Sequence, residues 1–146
     1  MSERRIGVIP FKASKKGPRV LMITSLTRSR WIFPKGVVRA SESDVDTCHR
    51  EAFEEAGVRG AVLDRFPFEA LVQKSTGQGL RDVPVTYFPL RVDKEARRWP
   101  ERDRRKRRWF RFADAPAAAD HSDTIDVFRR FEAMAAEIMP EGPERG

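Results

Sequence analysis

Gly36-Val-Val-Arg-Ala-Ser-Glu42, continued by Arg50-Glu-Ala-Phe-Glu-Glu-Ala-Gly-Val58, is the most strongly patterned part of the chain. Ser43, between the two segments, has the side chain of a helix N-cap, and Asp46 completes a short variant of the capping box. Gly57 supplies the left-handed residue that commonly ends a helix. The stretch therefore predicts a loop that leads into a helix, which ends just before Gly57.

Three carboxylates share one face of this helix, which we expect over about residues 44–56. Glu51, Glu54 and Glu55 are related by i, i+3 and i+4 spacing, which brings their side chains together. Like charges repel, and the i,i+4 partner Arg50 relieves only part of that repulsion. An E-x-x-E-E pattern alone would be typical of a solvated acidic face. Mg²⁺, however, takes oxygen ligands, usually carboxylates together with substrate phosphates, so the cluster also fits a divalent-cation site.

The opposite face of the same helix is predicted to be buried. His49 is expected toward this buried side as a structural residue, and Cys48 as a small apolar filler. The other residues assigned to the buried face are Val45, Ala52, Phe53 and Ala56.

The complete spacing resembles the signature of the Nudix hydrolases. The matching positions are Gly36, Glu42, Arg50, Glu51, Glu54, Glu55 and Gly57. The resemblance implies a Nudix fold, an α/β architecture in which a mixed β-sheet is sandwiched between helices (α/β/α). It also implies a pyrophosphohydrolase that uses Mg²⁺ or Mn²⁺ to cleave a nucleoside diphosphate or another organic diphosphate linkage.

Water must attack a phosphorus shielded by anionic oxygens, so cations have to neutralise charge during the reaction. We predict that Glu51 and Glu55 bind the metal and that Glu54 is either a third ligand or the general base. The resemblance adds the backbone carbonyl of Gly36 as a ligand. The predicted catalytic set is Arg50, Glu51 and Glu54, and the structural residues of the motif are Gly36, Gly57 and Glu42, which orients the loop through Arg50.

Residues outside the signature resemble the diphosphoinositol polyphosphate and diadenosine polyphosphate phosphohydrolases. In that subfamily, basic residues at the positions of Arg5 and Arg105 face the polyphosphate. Lys35, next to the motif, and Arg107, in the same basic run, are two further predicted substrate contacts. Lys35 departs from the Gly common in the animal enzymes, which leaves inositol and dinucleotide substrates both open. The stretches that carry the resemblance are Arg5, Trp31-Ile32, Glu55–Gly60, Trp99 and Arg105–Phe110.

The composition describes one domain over residues 1–146 with a genuine core. No run of about 18 apolar residues and no secretory leader are visible, so we expect no membrane span. The single cysteine fits a reducing compartment, which makes the cytoplasm the expected location. The net charge of +7 favours polyanionic ligands, with a small polyphosphorylated substrate as the expected partner.

Apolar runs that flank turn signals, together with hydrophobic alternation, predict the remaining strands. Pro84 and Pro89 count against a central, fully paired position for the strand that contains them. Ser122 is expected to cap a final amphipathic helix, which Pro140 ends, and His121 lies in the loop before it, open to a phosphate role. The predicted strands are Arg5–Phe11 with Arg19–Thr24 as a hairpin, Ala61–Lys74, Val83–Val92 and a strand anchored by Trp109–Phe112.

The basic run from Arg97 to Arg108 keeps other functions open. Such runs are typical of solvated loops and of nucleic-acid patches. A non-catalytic Nudix-fold module that binds RNA or another polyanion is therefore the competing hypothesis, although nucleic acid is not the favoured partner. An RNA 5'-pyrophosphohydrolase and an ADP-ribose hydrolase remain alternatives among the enzymes, and the sequence leaves the oligomeric state open.

Overall fold

The computed structural model describes residues 3–139, so Pro140, the predicted end of the last helix, lies outside them. Within this range the chain forms eight strands and three helices. They are β1 (Arg5–Lys12), β2 (Arg19–Thr24), β3 (Trp31–Ile32), β4 (Lys35–Val37), α1 (Asp44–Ala56), β5 (Val58–Val62), β6 (Phe68–Thr76), β7 (Gly79–Glu95), β8 (Arg107–Arg111), α2 (Ala115–Ala119) and α3 (Ser122–Ile138).

The strands form one mixed sheet. Its main path runs β3-β2-β1-β7-β5, with β8 beside β2, β4 beside β1 and β6 beside β7. β1 and β7 pair in parallel at the centre, and every other pairing in the described part of the chain is antiparallel. The predicted hairpin between the first two strands is confirmed, with Phe11 opposite Val20.

Side chains of the central strands alternate between two buried layers. On β1, Ile6 and Val8 face the layer that contains α1, whereas Ile9 and Phe11 face the layer that contains α3. Each layer fills with apolar residues, because a strand points successive side chains to opposite faces of the sheet. The predicted α/β/α arrangement of the Nudix fold is therefore confirmed.

α1 has the bounds that its caps predict. The Ser43 side chain accepts from the Asp46 backbone N–H, and the Asp46 carboxylate accepts from the Ser43 backbone N–H, which completes the capping box. Gly57 ends the helix in the left-handed region with φ 68°. These caps set where the helix begins and ends along the chain.

β7 crosses the centre of the sheet but is not paired on both edges along its whole length, as its two prolines predict. Its partners are distributed along its length: residues 79–87 pair with β6, residues 86–91 with β1 and residues 90–95 with β5. At Pro84, β7 has a neighbouring strand, β6, on one edge only. On that same edge Pro89 lies between the segment paired with β6 and the segment paired with β5. Its missing N–H therefore removes no hydrogen bond from either ladder.

Two smaller expectations differ from the structure. His49 is exposed, and Phe53 is only half-buried, with the Arg59 guanidinium 4.1 Å from its ring centroid. Ser122 is the first residue of α3, and its N-cap is His121, which makes no side-chain capping bond. Within residues 3–139, no helix combines the length and apolar character needed to span a bilayer.

Candidate functional site

Two carboxylates of α1 are buried rather than solvated. Glu51 is 6% exposed and Glu55 is 7% exposed, so both lie on the side of the helix that faces the sheet. The Lys35 backbone N–H donates to Glu55 Oε1 at 3.2 Å. Burial, reinforced by the Glu51 carboxylate, raises the pKa of Glu55 to about 8. Burying two acids side by side destabilises a protein unless a cation accompanies them.

Gly36 provides the space that the Glu51 carboxylate occupies. A β-carbon built on Gly36 would lie 1.7 Å from Glu51 Oε2 and 2.3 Å from its Cδ. No side chain other than the hydrogen of glycine is compatible with this approach. The glycine of the motif is therefore needed for the position of the carboxylate, not for a turn.

Glu42 and Arg50 form the clamp that the sequence predicts. Arg50 donates from Nε to Glu42 Oε2 at 2.5 Å and from Nη2 to Glu42 Oε1 at 2.9 Å. Nη2 also donates to the carbonyl of Val37, and Nη1 donates to Glu51 Oε2 at 2.8 Å. The guanidinium holds the pKa of Glu42 well below its usual range, at about 2. Arg50 thus connects the motif loop to the buried carboxylate of Glu51.

Glu54 is oriented differently from the two buried acids. Its side chain is 30% exposed and lies 3.5 Å from Arg50 Nη1 and 3.9 Å from Arg39 Nη2. In the part of the chain that the structure describes, no three acidic, His or Cys side chains are arranged to hold a metal ion. Glu54 therefore lies at the edge of the site, beside Arg50 and Arg39, whereas Glu51 and Glu55 form its buried pair.

A pocket of about 490 Å³ borders the carboxylates through Lys35 and Gly36. Of the four predicted substrate contacts, Arg5, Lys35 and Arg105 line it. Burial lowers the pKa of Lys35. Three further cations of the pocket lining were not singled out from the sequence: Arg28, Arg30 and Lys74. The pocket is therefore suited to an anionic ligand.

Arg105 is at the site, but its guanidinium already has protein partners. It donates to the carbonyl of Thr24 at 2.9 Å and to Glu101 Oε1 at 2.7 Å. Its Nη2 also lies 3.5 Å from Glu55 Oε2. Arg105 thus links β2, the basic loop and the buried carboxylate, in addition to facing the pocket.

The structure does not bring Arg107 to the pocket. Its Nη1 donates to the carbonyls of Ala56 and Gly57 at 3.0 and 3.2 Å, and its Nη2 donates to the carbonyl of Ala96 at 2.7 Å. The guanidinium also lies 4.0 Å from the centroid of the Trp99 ring. A cation here satisfies the free carbonyls and the negative end of the α1 dipole. Arg107 is thus a capping residue of α1, and its predicted contact with substrate is corrected.

Replacing Arg107 with alanine should destabilise the protein by about 2 kcal/mol, since buried carbonyls lose their donors. Thermal unfolding compared with Arg102→Ala, an exposed arginine of the same run, measures this difference. The affinity for a polyphosphate ligand should stay the same in both variants. A weakened affinity together with an unchanged melting temperature would return Arg107 to the predicted ligand contacts.

Sequence reasoning did not find Tyr87 and Asp123, which also line the pocket. Tyr87 lies in the middle of β7 and Asp123 lies in the first turn of α3. Neither residue is near the motif in sequence, and no local pattern marks it. His121, for which a phosphate role was considered, lines the same pocket.

The donor set fits a hard divalent cation. Glu51 and Glu55 supply carboxylate oxygens in a buried position where their negative charge is costly, and Gly36 keeps the space around Glu51 free of side-chain atoms. Mg²⁺ and Mn²⁺ prefer oxygen ligands. Such an ion commonly completes its coordination with water and substrate phosphate, so two carboxylates are a sufficient protein contribution.

Comparison with known proteins supports the family resemblance found in the sequence. A family model described as NUDIX domain matches residues 1–131. The chain is 36% identical over 101 residues to Nudix hydrolase 12, mitochondrial, of Arabidopsis thaliana, a match that covers 66% of this chain and 49% of that protein. It is 32% identical over 130 residues to Nudix hydrolase 16, mitochondrial, of the same plant, covering 79% of this chain and 71% of that protein. The chain thus spans about half the length of the first relative.

A solved structure with a similar fold is the Ap4A hydrolase of C. elegans. It superposes with a TM-score of 0.70 at 19% identity, covering 93% of this chain and 100% of that chain. At this level of identity the similarity concerns the fold alone.

Proposed function

Because the chain belongs to the Nudix family, we propose that it is a metal-dependent pyrophosphohydrolase. Its substrates would be diadenosine polyphosphates, diphosphoinositol polyphosphates or both, cleaved at a phosphoanhydride bond. The observation that carries the proposal is the pair of buried carboxylates, Glu51 and Glu55, beside a pocket lined by cations. The names of the curated relatives as Nudix hydrolases and of the solved neighbour as an Ap4A hydrolase support the same activity.

The proposed roles follow from position. Glu51, Glu55 and the carbonyl of Gly36 would hold Mg²⁺ or Mn²⁺, which when bound neutralises phosphate charge and lowers the pKa of water. Glu54 is half-exposed at the edge of the site, where its carboxylate can accept a proton from the attacking water. Arg50 holds Glu51 in place through the 2.8 Å hydrogen bond.

The cations of the pocket would bind the phosphate chain. Arg5, Lys35 and Arg105 are partly buried, and Lys35 and Arg105 lie close enough to Glu55 to bring positive charge to the carboxylates. Guanidinium groups suit phosphate because they donate two parallel hydrogen bonds. A pocket with six cations and one anion in its lining also attracts polyanionic substrates from solution.

The alternatives differ from this proposal in measurable ways. An RNA 5'-pyrophosphohydrolase or an ADP-ribose hydrolase would use the same carboxylates on another substrate. A non-catalytic module would bind RNA in a salt-dependent manner without hydrolysis. The exposed arginines Arg97, Arg98 and Arg102 favour this last candidate, whereas the buried carboxylates favour an enzyme. A cytoplasmic location stays a prediction that rests on the single cysteine.

A substrate panel tests the proposal. The parent protein, Glu54→Gln and Glu55→Gln are assayed with Mg²⁺ on diadenosine polyphosphates, a diphosphoinositol polyphosphate, ADP-ribose and 5'-triphosphorylated RNA, with products identified. Glu137→Gln, an exposed acid of α3, is the matched control. We expect turnover of one of the first two substrates and a loss on the order of 10²-fold in at least one active-site variant. No turnover of any compound, together with salt-dependent RNA binding, would favour the non-catalytic module.

A further inference from the structure

We propose that Tyr87, Asp123 and His121 form a hydrogen-bonding subsite for the uncharged part of a nucleotide substrate. The inference deepens the proposed function and rests on it, because it concerns the same pocket. All three side chains line this pocket, and they come from β7, the first turn of α3 and the residue before α3. None of the three is a lysine or an arginine, unlike the cations elsewhere in the pocket lining.

Tyr87 has a fixed ring and a free hydroxyl. The residue is 3% exposed, and its ring stacks on Phe68 with centroids 5.8 Å apart. Gly7 makes room for the ring, since a β-carbon there would lie 2.4 Å from Tyr87 Cε1. Within residues 3–139 no protein group hydrogen-bonds the hydroxyl, although the residue lines the pocket. A phenol held in this way is a preformed donor and acceptor for a ligand.

Asp123, another residue of the pocket lining, is held by two backbone hydrogen bonds. Its Oδ2 accepts from the Gln73 backbone N–H at 2.9 Å, and its Oδ1 accepts from the Thr124 backbone N–H at 2.7 Å. Each oxygen keeps acceptor capacity for a further donor. Among the described residues that line the pocket, Asp123 is the only acid.

His121 adds a buried ring nitrogen that lies close to Asp123 but makes no aligned hydrogen bond. Its Nδ1 lies 3.1 Å from Asp123 Oδ1, but no residue in the described range 3–139 makes a well-aligned hydrogen bond to it. Leaving a buried polar atom unpaired costs about 1–3 kcal/mol, so such atoms usually mark a site that something else completes. The Tyr87 hydroxyl has no hydrogen-bond partner within residues 3–139, and the His121–Asp123 pair lies in the lining of the same pocket, so together they point to a ligand that supplies hydrogen bonds.

The charge of Asp123 determines which part of a ligand fits. A carboxylate repels a phosphate but accepts hydrogen bonds from a sugar hydroxyl or a base amino group. A densely phosphorylated inositol ring has few uncharged donor groups to offer Asp123. A nucleotide instead can direct its phosphates to Arg5, Lys35 and Arg105 and offer the hydroxyl or amino donors of its ribose and base to Asp123. The subsite therefore favours dinucleoside polyphosphates over diphosphoinositol polyphosphates.

Nuclear magnetic resonance of the full chain tests the contact directly. The protein has one tyrosine and two histidines, so ¹³C-labelled Tyr and His give three readily assigned side-chain signals. Metal-free protein in chelator is titrated with adenosine 5'-monophosphate, ribose 5-phosphate, inorganic phosphate and inositol hexakisphosphate. We expect the Tyr87 and His121 signals to shift with the adenosine nucleotide but not with inorganic phosphate. His49, exposed on α1, is the internal reference.

The variants separate a contact with substrate from a structural role. Tyr87→Phe removes only a hydroxyl that no described residue binds, so the melting temperature should stay within about 2 °C of the parent. KM for the dinucleoside substrate should rise about tenfold with kcat nearly unchanged, because a site that hydrogen-bonds a ligand discriminates through that bond. His121→Gln should act in the same direction, and His49→Gln is its matched control.

The outcomes distinguish this inference from the proposed function. If nothing is hydrolysed but the nucleotide shifts the Tyr87 signal and Tyr87→Phe weakens its affinity, the proposed activity fails and the subsite stands. The subsite is refuted if inorganic phosphate or inositol hexakisphosphate shifts the signal as much as the nucleotide does. It is also refuted if Tyr87→Phe leaves nucleotide affinity and KM unchanged. A response to ribose 5-phosphate equal to that of the nucleotide supports the subsite and assigns it to the sugar.

Discussion

Replacing Gly36 with alanine is expected to remove most of the metal binding and hydrolysis while leaving the fold intact. The new β-carbon would overlap Glu51 Oε2, which lies 1.7 Å from its position. The obstructed group is the end of a flexible side chain, so it can move away without disturbing the backbone. Displacing a ligating carboxylate by about 1 Å can cost on the order of 10²-fold in rate. Calorimetry with Mn²⁺ and kcat/KM with Mg²⁺ measure the two losses.

Two other glycines serve as controls for this substitution. At Gly60 a β-carbon would lie 1.9 Å from the Arg91 backbone oxygen, which cannot move freely, so Gly60→Ala should lower stability by about 1–3 kcal/mol. At Gly77 nothing lies within 4 Å of the added carbon, so Gly77→Ala should resemble the parent. If Gly36→Ala instead loses stability as Gly60→Ala does, or keeps full activity, the assigned role of Gly36 is wrong.

Replacing Glu55 with glutamine is expected to make the metal-free protein more stable and the enzyme nearly inactive. The carboxylate is buried beside Glu51, and neutralising it removes a desolvation cost on the order of 1 kcal/mol or more. Arg105, its cationic neighbour, keeps Glu101 and the Thr24 carbonyl as partners. The melting temperature in chelator should rise by a few degrees, and kcat/KM with Mg²⁺ should fall on the order of 10²-fold.

The neighbouring residue provides the stability control. Glu54→Gln changes the same chemical group on a side chain that is 30% exposed, so its effect on the metal-free melting temperature should be small. A fall in melting temperature for Glu55→Gln would mean that the ion pair with Arg105 outweighs the burial cost. In that case Glu55 would be a structural anion rather than a residue held ready for a cation.

The sequence predicted α1 well because its limits depend on local chemistry. Ser43, Asp46 and Gly57 each act through backbone groups within a few residues, and the helix begins and ends where they require. β1 and β2 are likewise predictable, because a short apolar run between turn signals is typical of a strand buried on both faces. The same reasoning placed Glu42 against Arg50, since both belong to one motif.

Burial on α1 was not predictable from the helix alone. The spacing that groups the acids does not say which side of the helix the sheet covers. The helical spacing predicts Phe53 and His49 on the covered side. The sheet instead covers Glu51 and Glu55, which lie beside the cation-lined pocket. A site that retains buried charge departs from ordinary hydrophobic patterning, and functional sites are where such departures are expected.

Tertiary contacts also determined the roles of distant residues. Arg105 and Arg107 are two positions apart on the same basic run, yet the first lines the pocket and the second caps α1. Tyr87 and Asp123 are more than thirty positions apart and meet only because β7 and the start of α3 border the same pocket. No periodicity or motif in the sequence indicates that these two residues line the same pocket.

The basic run contains both exposed and inward-facing arginines, and this difference has a practical consequence for protein engineering. Arg97, Arg98 and Arg102 are exposed, whereas Arg105 and Arg107 are turned inward onto carbonyl oxygens. The pI of about 10.2 could therefore be lowered through glutamate substitutions at the three outer positions, to limit adsorption to nucleic acids during purification. The two inner arginines set the limit of such a redesign, because Arg107 caps the helix that carries the acids and Arg105 binds the Thr24 carbonyl and Glu101.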